Sequence, residues 1–204
     1  MTRAEKQTAM EVIHREIECL TASFLCEERI RTQMLPVIGE GSLDARVMFI
    51  GEAPGKKEAL TGKPFCGASG KVLDQLLTDT GLSRESVYIT NVVKDRPPKN
   101  RDPKPEEIEL YGPFLDRQIA LIQPTVIATL GRFSMEYVMR RYGLEERLET
   151  ISGLHGKQHT LKMEFGTVHM RPLYHPAVAV YNRTRYSELL ADMQSLADFE
   201  QPAT

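Results

Sequence analysis

Three short apolar runs, each stopped by a glycine or an asparagine, constrain this chain more than any other feature. Residues 45–50 (ARVMFI) end at Gly51, residues 87–90 (VYIT) at Asn91, and residues 125–130 (TVIATL) at Gly131. Runs that are apolar throughout, rather than alternating, read as strands buried on both faces. Helical patterns separate them. Residues 70–80 place Val72, Leu73, Leu76 and Leu77 on one face before Gly81. Pro105 opens a second helix, with Glu106 and Glu107 in its first turn, that runs to about Ile122. Residues 133–142 form a third. Residues 2–30 read as one long polar helix, with Met10, Ile13, Ile17, Leu20 and Phe24 at helical spacing. Residues 161–173 alternate loosely around Gly166, as a strand or hairpin would, and residues 186–199 close the chain as a helix. Strands alternating with helices predict an α/β fold with a parallel sheet covered on both faces. Ligands of such sheets sit at the carboxyl ends of the strands. The fold would therefore gather Gly51, Asn91, Gly131 and His175 at one edge.

With 204 residues and 41% hydrophobic content, the chain can build one core, and a single domain over residues 1–204 is expected. Within it, residues 1–30 are the N-terminal helix and residues 197–204 a flexible tail. A formal net charge of −2 gives no global basic field that would mark a nucleic-acid partner, although a local patch is compatible with it. No apolar run approaches the ~18 residues of a membrane span, and the charged start has no apolar segment of a leader behind it. Cys19, Cys26 and Cys66 are odd in number and lack CxxC spacing, which argues against a disulfide framework and a zinc site. Reduced thiols, a cytoplasmic location and a monomer with no membrane partner are the expectation.

Four segments carry chemistry. Gly51-Glu52-Ala53-Pro54-Gly55 makes a tight turn directly after a strand, with amides free to point at a ligand. Lys56 and Lys57 follow, but the P-loop pattern fails. Ile50 stands where the first glycine of that pattern should be, and Gly70-Lys71 has Phe65 at the same place. Pro64-Phe65-Cys66-Gly67 sets an aromatic in a turn before a helix. Asn91 offers one donor and one acceptor to a base edge. His175-Pro176 follows the apolar Pro172-Leu173-Tyr174. Each segment alone has an ordinary explanation in packing, capping or turn formation. Together they supply what a flat polar heterocycle needs: amides, an aromatic face, an amide side chain and an imidazole. Residues 94–104 form an extended, proline-stiffened loop with five basic and two acidic residues, suited to a phosphate backbone through Lys94, Arg96, Lys99 and Arg101. Tyr181, Asn182 and Arg183 combine an apolar wedge, a base-edge donor and a cation, which suits insertion into a duplex.

The order GEAPG, then Gly62-Lys63-Pro64-Phe65-Cys66-Gly67 with Gly70, then TNVVK and RPPKNRDP over residues 90–103, then His175-Pro176, resembles the family-4 uracil-DNA glycosylases over residues 37–196. The resemblance implies a three-layer α/β/α sandwich with a central four-stranded parallel sheet. It implies a monofunctional glycosylase that flips uracil out of single- or double-stranded DNA and hydrolyses the N-glycosidic bond, initiating base excision repair. By motif position Phe65 is the stacking face, Asn91 the reader of the uracil edge, and His175 the donor to uracil O2. Gly51, Ala53, Pro54 and Gly55 line the water and leaving-group side. Glu52 and Glu58 are both candidates for the residue that positions the water.

Three departures qualify the resemblance. Family-4 enzymes usually hold a [4Fe–4S] cluster on four cysteines, and the chain has Asp95 and Tyr111 at two of those positions. Cys19 and Cys26 lie near the other two but too far apart, so no cluster and no cofactor is expected. Many family members carry Glu-Asp where this chain has Glu58-Ala59, and family-1 enzymes carry Asp at Ala53. Residues 92–104 hold no histidine, which argues against the covalent DNA trap of one branch of the superfamily. Two alternatives remain open: excision of another deaminated base such as hypoxanthine, and a relative that binds DNA but cuts weakly.

Overall fold

The computed structural model describes residues 1–21 and 23–199. In chain order the elements are α1 (Arg3–Glu18), α2 (Phe24–Thr32), β1 (Glu40–Gly41), β2 (Val47–Gly51), α3 (Lys56–Thr61), α4 (Ala68–Asp79) and β3 (Tyr88–Asn91). They continue with α5 (Pro105–Ile122), β4 (Val126–Leu130), α6 (Arg132–Arg141), α7 (Ile151–Leu154), β5 (His159–Met163), β6 (Gly166–Leu173) and α8 (Arg183–Gln194). The six strands form one sheet in the order β1-β3-β2-β4-β6-β5. The inner four run parallel, as expected, and β1 and β5 add antiparallel edges.

Alternate residues of the inner strands face opposite layers, because strand side chains have a period of two. Met48, Ile50 and Ile127 pack against Ile13 and Ile17 of α1, Leu115 and Ile119 of α5, and Met135 and Val138 of α6. Val47, Phe49, Val126 and Ala128 pack against Leu73, Leu76 and Leu77 of α4 and Leu189 and Met193 of α8. This is the three-layer α/β/α sandwich. Every residue of β2, β3 and β4 is buried, which explains why those runs are continuously apolar.

Two expectations need correction. The predicted helix over residues 2–30 is two helices. Ser23 caps α2 by accepting the Cys26 N–H at 3.3 Å, and its hydroxyl competes with continued helix. Met10, Ile13 and Ile17 are buried as the spacing implied, but Phe24 is 58% exposed. The closing helix starts earlier and stops at Gln194, where a short 3-10 turn (Ala197–Phe199) follows. Of the predicted flexible tail, residues 197–199 thus have defined structure, and residues 200–204 lie outside the described residues. No helix among the described residues is long and apolar enough to cross a membrane.

The connection from β2 to β3 runs to one side of the sheet, and the connection from β3 to β4 returns to the other side of β2. The carboxyl ends of β2, β3 and β4 therefore frame a switch-point crevice. Gly51 pairs with Asn91 and Leu130 with Leu173, so the segments that follow all emerge at one level.

Candidate active site

Gly51 ends β2 directly beside Asn91. A β-carbon at Gly51 would collide with the Asn91 side-chain oxygen and come within 2.7 Å of the Phe65 ring. The missing side chain lets an amide and an aromatic face close over one backbone atom. Past the strand ends, the Val92 N–H donates to Gly51 O and the Val93 N–H to Glu52 O, both at 3.0 Å. These bonds hold the GEAPG turn against the segment after Asn91.

Phe65 adopts φ = +48°, a left-handed conformation that costs a non-glycine residue of order 1–3 kcal/mol. Neighbours hold it there. Gly70 has no β-carbon, and one would collide with the Phe65 carbonyl. Arg84 donates from Nη1 to Phe65 O at 3.3 Å and from Nη2 to Pro64 O at 2.6 Å. Glu58 Oε1 accepts the Gly67 N–H at 3.0 Å, so a carboxylate from α3 caps α4, which has no side-chain cap of its own.

His175 follows β6. Gly131, at φ = +95°, leaves room for it, since a β-carbon there would sit 3.2 Å from His175 Cβ. His175 Nδ1 accepts the Ala177 N–H at 3.1 Å, which assigns the proton of the neutral ring to Nε2. Burial pushes the imidazole pKa down to about 4, against a small opposing pull from Glu58, so the ring is neutral near pH 7. Its centroid lies 5.6 Å from that of Phe65, with the rings inclined by 31°.

These groups line one cavity of about 470 Å³. Glu52, Ala53, Pro54, Gly55, Glu58, Phe65, Asn91 and His175 all face it, and Gly51 lies beneath. Glu52 has no hydrogen-bond donor to its carboxylate among the described residues. Its pKa is raised to about 7, by burial first and the nearby Asp102 second, with Arg132 pulling the other way. Ala59 is buried and does not line the cavity.

The DNA-facing residues proposed from sequence divide. Arg96 is half-buried and donates from Nε to Asn100 Oδ1 at 2.8 Å. Lys99 is exposed at a left-handed turn (φ = +58°). Arg101 lines the cavity, but its guanidinium is held by Glu107 at 2.9 and 2.5 Å. Tyr181 is fully exposed, Asn182 caps α8 by accepting the Arg185 N–H at 3.2 Å, and Arg183 is exposed. Lys94 is a correction. It is fully buried, and Nζ donates to Gln118 Oε1 at 2.6 Å, Thr90 Oγ1 at 2.7 Å and Asn91 O at 2.7 Å. Burial pushes its pKa well down, and three acceptors replace its hydration. A side chain so placed cannot reach a phosphate. Sequence reasoning missed Arg84, the Ala177 amide and the cavity-lining Pro97, Asn100 and Asp102. Only the last three lay within a segment it had marked.

A family model described as the uracil DNA glycosylase superfamily matches residues 38–197. The chain belongs to the uracil-DNA glycosylase superfamily. It is 43% identical to the type-4 uracil-DNA glycosylase of Sulfurisphaera tokodaii over 83% of this chain and 76% of that protein. It is 42% identical to that of Archaeoglobus fulgidus, over 83% of each chain. A type-4 relative from Thermotoga maritima is 37% identical over 88% of this chain and 87% of its own.

In this uracil-DNA glycosylase superfamily member, the positions that suggest an iron–sulfur cluster hold something else. Tyr111 Oη donates to Asp95 Oδ2 at 2.6 Å, Arg29 Nε donates to the same oxygen at 3.0 Å, and Cys26 Sγ lies 3.3 Å from Tyr111 Oη. Burial raises the Asp95 pKa, partly offset by Tyr111 and Arg29, and burial together with Asp95 drives the phenol pKa far up, so Tyr111 stays a donor. One thiol, a phenol, a carboxylate and a guanidinium do not match a four-thiolate cluster. Cys19 is exposed, and Cys66 contacts Thr61 instead. Among the described residues no group of three or more metal-binding side chains forms. The residues present do not fit the cluster.

Proposed function

We propose that this protein excises uracil from DNA by hydrolysing the N-glycosidic bond, leaving an abasic site. The observation that carries the reading is the meeting of Asn91, Phe65 and the Nε2–H of a neutral His175 in one cavity. The printed names of its relatives, type-4 uracil-DNA glycosylases, support it.

A uracil reached only by flipping would stack on Phe65, while the Asn91 amide donates to one edge atom and accepts from its neighbour. As the bond from C1′ to N1 lengthens, its electron pair passes to the base and charge gathers on O2. The His175 Nε2–H, already oriented by Ala177, donates to that oxygen. One preorganised donor of this kind is worth about 10²–10³ in rate. Water then adds to the cationic C1′ and gives up a proton. Glu52 is the better candidate acceptor, because its carboxylate is unengaged and its pKa lies near 7, while Glu58 is occupied by the Gly67 amide. The uracil anion takes its proton from solvent.

Arg96, Lys99 and, less freely, Arg101 would meet phosphates, and Tyr181 with Arg183 would enter the duplex. The protein would act as a monomer on single- or double-stranded DNA. The test uses oligonucleotides carrying one uracil, hypoxanthine or xanthine, with alkaline scission of abasic sites. Scission at uracil alone is expected. Scission at hypoxanthine but not uracil overturns the base assignment, and binding without scission overturns the enzyme.

A further inference from the structure

We propose that Arg29, Asp95, Tyr111 and Cys26 form a metal-free brace that holds the segment after Asn91, residues 94–101, in position. Calling that segment DNA-facing rests on the function proposed above; the brace itself does not.

The segment is gripped from two sides. Lys94 and Asp95 are consecutive, both fully buried, and anchored at two separate points of α5, with Asp95 also reaching α2. Lys94 reaches Gln118 of α5, Thr90 and the Asn91 carbonyl, and its own carbonyl accepts the Val37 N–H at 2.8 Å. Asp95 turns the other way, to Tyr111 of α5 and Arg29 of α2. Arg29 extends the connection, because Nη2 donates to the carbonyls of Ile17 and Glu18 at 3.1 Å. Those carbonyls belong to the last turn of α1, where the helix itself supplies too few donors, although Ile17 O also accepts the Leu20 N–H at 3.2 Å. Ser23 lies 3.1 Å from Cys26 Sγ and so ties the start of α2 to the same group. One carboxylate oxygen thereby links α1, α2 and α5 to a loop that lies four residues beyond Asn91 and one before Arg96. Brace contacts join residues 66 and 85 positions apart, a span that a cluster on distant cysteines would otherwise bridge. Asp95 Oδ2 holds two donors, while Oδ1 is buried with no partner among the described residues; the thiol, phenol, carboxylate and guanidinium are joined through hydrogen bonds and not through a metal.

Hydrogen exchange tests the brace without reference to activity. The Asn100 and Arg101 amides bond to Pro97 O and Pro98 O, and the Val37 amide to Lys94 O, so all three report on the segment. Asp95→Ala is expected to speed their exchange at least ~10-fold while the β4 amides keep their rates. Asp95→Asn, which keeps an acceptor oxygen for Tyr111 and Arg29 but removes the charge opposite the guanidinium, should speed exchange less than Asp95→Ala. Tyr111→Phe removes one hydroxyl only, and carries the same readout where Asp95→Ala fails to fold. In the excision assay Asp95→Ala should raise KM about 10-fold with kcat within about 2-fold, since the displaced loop supplies Pro97, Asn100 and Arg101 to the cavity wall while Asn91, Phe65 and His175 lie outside it. Protein produced anaerobically with iron should carry less than ~0.1 iron per chain, against about four for a cluster. Unchanged exchange at the three amides, equal acceleration in β4, or stoichiometric iron each overturns the proposal. Should wild type fail to excise uracil, only the functional reading falls, and the exchange result stands.

Discussion

Ala177 donates its backbone N–H to His175 Nδ1 at 3.1 Å, two residues along the chain. This single contact sets the tautomer of the ring and leaves Nε2–H as the donor. The 3-10 turn that carries it begins at Pro176, whose ring fixes the backbone and which has no N–H of its own, so the Ala177 amide is the first one available.

Removing either polar group of the cavity should cost at least ~100-fold in kcat on uracil-containing DNA. His175→Ala and Asn91→Ala are the variants, measured by single-turnover excision. Near-normal rates in both would remove these residues from the site.

Glu52 gives the reaction its pH dependence. The carboxylate accepts a proton only when ionised, so kcat should fall about tenfold per pH unit below ~7 and level off above it. Glu52→Gln should abolish that acid limb and leave a slow, flat profile. The same shift is linked to stability. A carboxyl whose folded pKa, about 7, exceeds its unfolded 4.5 favours the folded state most below pH 4.5, and that advantage is lost as pH rises to 7. Glu52→Gln should therefore raise Tm at pH 8, reflecting added stability on the order of 1–2 kcal/mol after screening, and leave it unchanged at pH 4. An equal Tm difference at both pH values would contradict the shift.

Gly51→Ala tests the close approach beneath the cavity. Its β-carbon must displace both Asn91 and Phe65, so the variant should lose about 1–3 kcal/mol in urea unfolding. Its excision rate should drop more than ~10-fold, because both displaced groups face the base. A stable, fully active Gly51→Ala protein would mean that Asn91 and Phe65 do not need this spacing.

Lys94 and Lys99 should behave oppositely, although both lie in the basic loop. Lys99→Ala should lower the dependence of log Kd on log salt by about 1 and leave unfolding unchanged. Lys94→Met should leave that slope intact and destabilise by about 1–3 kcal/mol, because Gln118 Oε1 and Asn91 O lose their donor. Fluorescence anisotropy at several salt concentrations, paired with urea melts, separates the two.

The inner sheet was legible because its strands are covered on both faces, and burial leaves a direct trace in the apolar runs at 47–50 and 126–130. The helix opened by Pro105 was legible for a similar reason, since proline and two glutamates mark its first turn. The break between α1 and α2 was not. It depends on Ser23 capping α2 through the Cys26 N–H, a local signal masked by the continuing helical spacing, and on Arg29 reaching the carbonyls that end α1, which has no local pattern. β1 is only two residues long and exists because Glu40 and Gly41 reach Ile89 and Tyr88, far along the chain.

The sequence by itself determined the α/β class, the family and the four segments that form the cavity, because each is written in local order and spacing. Tertiary structure decided what the charged residues do. Lys94 and Lys99 differ little as letters, yet one is sealed among three acceptors and the other lies in water. Asp95 and Tyr111 read as missing cysteines until Arg29 and Cys26 arrive from another helix to bond with them. Charge and hydrogen bonding act through space and depend on desolvation, and a linear pattern records neither the partner nor the burial.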